Sequence, residues 1–165
     1  MGAVGVAGCV SSADTTTGSV LVKSINVEVT TSDGRTTSID LLNVLFERSE
    51  NILHGQYDPE YTGSAFGDQF VTVSGSLHEE LKNQFDDVRY FVNVNPTRGD
   101  KTPVNIAATQ AEFNELTLGG RATVSTRSGE DGFRYLQVHD IEPRTQTVSD
   151  SNIRTFNLDS TINSD

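Results

Sequence analysis

The chain has 165 residues, a formal net charge of −11, 35% hydrophobic residues, no tryptophan and one cysteine, Cys9. That length suits one domain with tails. The isoelectric point near 4.5 and the lack of clustered Lys or Arg argue against nucleic-acid binding, which needs a basic stripe for the phosphates. A lone cysteine excludes an internal disulfide and a Cys-based zinc site, and no apolar run reaches the roughly 20 residues of a spanning helix.

Residues 1–8 carry a short apolar run, Ala3-Val4-Gly5-Val6-Ala7, with no Lys or Arg before it. It ends in Val6-Ala7-Gly8-Cys9, small residues leading into the cysteine. The following Val10-Ser11-Ser12-Ala13-Asp14-Thr15-Thr16-Thr17-Gly18-Ser19 is a polar, Ser/Thr-rich stretch that reads as a tether over 9–19. This arrangement resembles the end of a haloarchaeal lipoprotein signal, in which a lipobox is cut before its cysteine. The resemblance covers these first residues and the composition only. It implies export, cleavage after residue 8, lipidation of Cys9, and a membrane held through a lipid anchor on the extracellular face of the cytoplasmic membrane. A two-chain diether-type lipid holds far better than a single chain. On this reading residues 1–8 are a truncated signal remnant and Met1 is an internal start. The three lysines Lys23, Lys82 and Lys101 and the carboxylates spread along the chain resemble a halophilic proteome, in which an acidic surface stays hydrated when salt screens charge over a few ångströms.

From Ser24 to Thr30, Ile25, Val27 and Val29 alternate with polar residues, the pattern of a half-buried strand. Asp33-Gly34 marks a hairpin turn, and Thr36–Leu41 is the return strand. Residues 42–54 fit helical and strand spacing alike, and Gly55 sits where a helix would stop. Tyr57 to Asp68 reads as a long loop, punctuated by Asp58-Pro59, Gly63 and Gly67. Gln69–Leu77 is predicted as a strand and His78–Phe85 as a short helical connection. In Val88–Asn95, Val88, Tyr90, Val92 and Val94 share one face, and Arg89, Phe91 and Asn93 the other. A loop over 96–103, a short strand over Val104–Ile106 and a helix over Ala107–Leu116 follow. Gly120–Ser125 and Phe133–Ile141 form a second hairpin. The polar segment 144–165 fits either an edge strand or a partly ordered tail. The sum is a mainly β fold, an antiparallel β-sandwich or small β-barrel with one or two short helices, over a domain spanning 20–143.

The three histidines His54, His78 and His139 lie at no metal-ligand spacing. No Gly-x-Ser-x-Gly elbow and no phosphate loop is present. No catalytic or metal-binding residue is therefore assigned. Acidic loops at Asp58, Glu60 and Asp68, at Asp86-Asp87 and at Glu130-Asp131 match no spaced calcium pattern. They read as solvated surface, with Ca2+ as the one cofactor such loops suit. The long loop carries Tyr57, Asp58, Tyr61, Phe66 and Asp68, a combination found in recognition loops. The plainer reading is that Phe66 and Phe70 anchor the loop to the core.

The function these readings support is a non-catalytic, lipid-anchored binding or structural module at the surface of a halophilic archaeon, with a protein or glycan partner. The alternative is a virion structural protein, a capsid or tail β-barrel, of a virus infecting a halophile. A third arrangement, an OB-like barrel, fits the hairpin from Arg121 to Ile141, and charge restricts it to sugar or protein ligands.

Overall fold

Eight strands form one mixed sheet in a computed structural model that describes residues 14–67, 70–99 and 104–162. The strands are β1 (Thr16–Thr30), β2 (Thr36–Glu47), β3 (Ile52–Tyr57), β4 (Asp87–Pro96), β5 (Val104–Ala108), β6 (Arg121–Ser128), β7 (Arg134–Glu142) and β8 (Asp150–Thr155). Four short helices accompany them: α1 (Pro59–Thr62), α2 (Gly75–Gln84), α3 (Gln110–Glu115) and α4 (Leu158–Ile162), and a 3-10 turn spans Gly63–Ala65. The mainly β class stands as the sequence predicts it, with more helical turns than expected. Cys9 and Asp68 lie outside the described residues.

The strand order is β4-β5-β7-β6-β1-β2-β3-β8, and β4 also pairs with β1. That extra pairing closes a ring of five strands, β1-β4-β5-β7-β6. The ring is antiparallel except where β5 meets β7 in parallel, at Ala107 and Tyr135. Counting ring strands in chain order gives 1-2-3-5-4-1, with α3 between the third and fourth. This is the Greek-key order of the OB-type barrel. Here β2, β3, α1 and α2 are inserted between the first and second ring strands, and β2, β3 and β8 extend the sheet outward from the barrel wall.

One strand serves both structures. Over Gly18–Glu28 β1 pairs with β4, over Thr16–Ser19 with β6, and over Val22–Thr30 with β2. Its register shifts at Val20/Val22 against β4 and at Ile25/Asn26 against β2. Such bulges bend and twist a strand, which lets β1 leave the barrel and run on into the open sheet. Gly18 sits where β1 and β4 close, and a Cβ there would collide with the Asn95 carbonyl oxygen.

Alternation sorts the side chains. Ile25 and Val27 on β1, Leu42 and Val44 on β2, and Tyr90, Val92 and Val94 on β4 are buried in one core with Val124 and Leu136. Each such aliphatic side chain contributes roughly 1.5–3 kcal/mol on burial. Short helices close the core. Ser74 caps α2 by accepting from the Leu77 amide at 3.1 Å, and α2 buries Leu77 and Leu81. Thr109 and Glu112 form a capping box on α3, which drives Phe113 fully inside.

Several sequence expectations change. The ambiguous stretch 42–54 is strand on both sides of a turn, because Leu42, Val44 and Phe46 alternate inward beside β1 and Ile52 to His54 pair back onto β2. The predicted strand over 69–77 is absent from its described part. Phe70 and Val71 take positive φ values of 48° and 62°, which no strand tolerates, and Ser74 starts a helix. Strand β1 begins at Thr16, inside the stretch read as tether. Segment 144–165 carries β8 and α4: β8 pairs in parallel with β3, and Leu158 is buried.

Candidate functional site

The outer face of the sheet is defined by register, since residues directly opposite on paired strands share a face. One row runs Asn105, Asn93, Val22, Leu45, His54 and Asn152 across β5, β4, β1, β2, β3 and β8. The next runs Ala107, Phe91, Ser24, Asn43, Gln56 and Arg154. A shorter third row holds Arg89, Asn26 and Asp40. Asparagine is depleted in strands, yet Asn26, Asn43, Asn93, Asn105 and Asn152 all stand on this one face, with Gln56 beside them. No helix of the chain is needed to cover it: Leu45 is 41% exposed, and Gln56, Asn105, Asn152 and Arg154 are also exposed.

The middle of the face is a shallow depression of about 370 Å3, lined by Val22, Ser24, Asn26, Asp40, Asn43, Phe91, Asn93 and Asn105. Asp40 organises one side of it. Its Oδ1 accepts from Asn26 Nδ2 at 2.9 Å and its Oδ2 from Asn43 Nδ2 at 3.2 Å. Asn26 Oδ1 in turn accepts from Ser38 Oγ at 2.7 Å. These bonds orient both amides, and Asn43 keeps its Oδ1 and one N–H uncommitted. Across the depression, Asn93 and Asn105 are register partners, and neither side-chain amide bonds another described residue. Arg89 at the edge is already engaged by Asp87 and by the Phe133 ring, 3.8 Å from its guanidinium carbon. The depression thus carries a single charge, on the amide-bonded Asp40, and is rich in groups that donate and accept hydrogen bonds at once.

The long loop marked in the sequence has a different role. Asp58 is buried at 1% exposure. Its carboxylate caps α1, accepting from the Glu60 amide at 2.8 Å, and its other oxygen accepts from the Leu158 amide at 2.7 Å. Tyr57 packs on Phe66 at a ring distance of 4.5 Å, and Tyr61 on Phe85 at 5.2 Å. Asp58 ties the loop to α4 and the rings, each half-buried, join it to the core. The histidines are dispersed. His54 lies on β3 with Glu47 Oε2 at 3.0 Å, His78 lies on α2 with the Tyr90 hydroxyl at 2.6 Å, and His139 lies on β7 with Ser125 Oγ at 2.7 Å. Among the described residues no three His, Cys, Asp or Glu side chains group for a metal.

Sequence reasoning missed Lys23. It is fully buried, and its Nζ donates to the Val71 carbonyl at 2.6 Å and the Leu116 carbonyl at 2.8 Å, 4.1 Å from the centre of the Phe113 ring. Burial lowers its pKa from 10.5 to about 7. Burial also raises the pKa of Tyr90, which stacks on the same Phe113. The signal was present in parity: position 23 falls on the same face as Ile25 and Val27. A second depression, of about 460 Å3, lies where the chain enters β1 and is lined by Thr15, Thr17, Pro96, Thr97, Arg98 and Arg121.

No family model, curated protein sequence or solved structure matches the chain.

Proposed function

We propose that this chain is a non-catalytic binding module, displayed on the outer face of a halophile's cytoplasmic membrane by a lipid on Cys9, and that it meets its partner through the amide-rich face of the sheet. The observation that carries the reading is that face itself. Five asparagines and a glutamine stand on adjoining strands that disfavour them, the side chains of Asn93, Asn105 and Asn152 have no hydrogen-bond partner among the described residues, and the surface is open. A catalytic site groups titratable side chains with shifted affinities for protons. Among the described residues the strongly shifted groups, Lys23 and Tyr90, are both in the packed core.

The anchor reading draws on the small residues before Cys9 and on placement. Strand β1 starts seven positions after Cys9, at an end of the barrel where Arg98 and Arg121 line one depression. In a chain of net charge −11, that is the end best suited to lie against acidic headgroups.

Two measurements test the two parts. Intact mass of protein extracted with detergent from cells that make it should show a chain starting at Cys9 with a lipid attached. An uncut, lipid-free chain overturns the anchor and favours the virion alternative. For the face, the Cys9→Ser chain should sediment with isolated cell envelopes, and an added Asn93→Lys should abolish this. Equal sedimentation of both chains rules the face out as the contact surface.

A further inference from the structure

We infer that the depression at the centre of this face binds a neutral saccharide, a segment of glycan chain lying across β1, β2, β4 and β5. The inference rests on the sheet face being the contact surface, and it names the chemistry of what is contacted.

Three observations select that class. First, the polar groups are amides. A carboxamide both donates and accepts, so Asn43, Asn93 and Asn105 match hydroxyl groups, which do the same, without a net charge on either side. Charged ligands find less: the one carboxylate lining the depression, Asp40, has each oxygen taken by an amide N–H, and the adjacent Arg89 is held by Asp87. Second, two of the amides are preorganised. Asp40, at one side of the depression, fixes Asn26 and Asn43, and Ser38 closes the chain of bonds, so part of the ordering cost of binding is met by the fold. Third, the depression is amphipathic. Phe91 and Val22 line it beside the amides. A pyranose ring has the complementary build, with hydroxyls around its rim and C–H groups on its faces, which pack on an aromatic ring.

Shape supports a chain segment over a free monosaccharide. The depression is shallow, and the rows continue past it to Gln56 and Asn152, so a ligand entering at Asn105 can be followed outward along the face. Hydrogen bonding between neutral groups also persists at the molar salt that removes longer-range charge attraction.

The test uses the Cys9→Ser full chain labelled with nitrogen-15, titrated with maltohexaose, cellohexaose, mannohexaose and xylohexaose, and with a heparin hexasaccharide as the anionic comparison. At least one neutral hexasaccharide should shift the side-chain NH2 resonances of Asn43, Asn93 and Asn105 in a saturable way. Asn93→Ala with Asn105→Ala should weaken that binding by about tenfold or more, as loss of two neutral hydrogen bonds implies. Phe91→Leu, which keeps an apolar side chain and removes the ring, should weaken it independently, so the inference stays testable even where the double variant folds poorly. No shift with any neutral oligosaccharide at about 10 mM, a concentration that would reveal even millimolar affinity, overturns the inference. Shifts confined to Arg98 and Arg121, or seen only with the heparin fragment, overturn it as well. If envelope sedimentation remains sensitive to Asn93→Lys while no saccharide binds, the face stands as a contact surface and only the ligand class falls.

Discussion

Lys23 places an ammonium inside the barrel, with both hydrogen bonds going to main-chain carbonyls. Its pKa of about 7 against an ordinary 10.5 sets a sign. Below pH 7 the lysine is charged folded or unfolded, and the desolvation cost is fully present. Between pH 7 and 10.5 the unfolded chain holds the proton that the folded chain has released, so stability rises with pH. The full shift corresponds to roughly 5 kcal/mol at 1.36 kcal/mol per pKa unit. A neutral amine still has two N–H groups for the Val71 and Leu116 carbonyls, so both hydrogen bonds persist after deprotonation. Tyr90 acts the other way: its raised pKa makes its contribution to stability fall above pH 10. Urea unfolding of wild type and Lys23→Met across pH 7 to 10 reads this directly. At pH 7 the methionine relieves the buried charge and strands two carbonyls at about 1–3 kcal/mol each, so the net change is small. The slope with pH is the decisive quantity, and it should vanish in the variant. A wild-type curve that is flat over this range would show that the buried amine does not titrate there.

At the scale of elements, the C-terminal segment is a working part of the sheet. Strand β8 covers the outer edge of β3 over six register pairs, the Phe156 amide donates to the Tyr57 carbonyl, and the Leu158 amide donates to the buried Asp58 carboxylate. Deleting residues 150–165 should therefore cost about 3 kcal/mol or more. Loss of the buried Leu158 accounts for roughly 1.5–3, and a buried carboxylate left short of a donor adds to it. It also bares an edge of unpaired N–H and C=O groups, which invites pairing between copies. Sedimentation velocity beside urea unfolding should show self-association together with the lower midpoint. A deletion chain that stays monomeric with an unchanged midpoint would mean that β8 contributes nothing. This element was only half legible in the sequence. Val148, Ile153, Phe156, Leu158 and Ile162 are too sparse to give a period, and a parallel pairing with a strand about a hundred residues earlier leaves no local mark. The hairpins β1–β2 and β6–β7 were legible because turn residues and alternation are local. The lost strand over 69–77 shows the converse: Val71 and Val73 read as strand, but both are fully buried core residues on a turn whose carbonyl at Val71 is spent on Lys23.

For the whole molecule, a charge of −11 on 165 residues is a field that the fold must withstand. Exposed carboxylates repel over a distance of about 10 Å at 0.1 M salt and about 3 Å at 1 M, so the urea midpoint should rise between 0.1 and 1 M KCl. Insensitivity to KCl would remove the case for salt adaptation. Charge, the lone cysteine, the β-rich patterning and the alternating faces of β1 and β4 were all determined by the sequence alone, because each is a sum over residues or a matter of near neighbours. Closure of the five-strand ring, the carbonyl partners of Lys23, capture of Asp58 by Leu158 and the gathering of Asn26, Asn43, Asn93, Asn105 and Asn152 onto one face were decided only by tertiary structure. Each depends on the register between strands far apart in the chain. A shift of a single residue in the register of any one of these strands would turn that strand's asparagine toward the core.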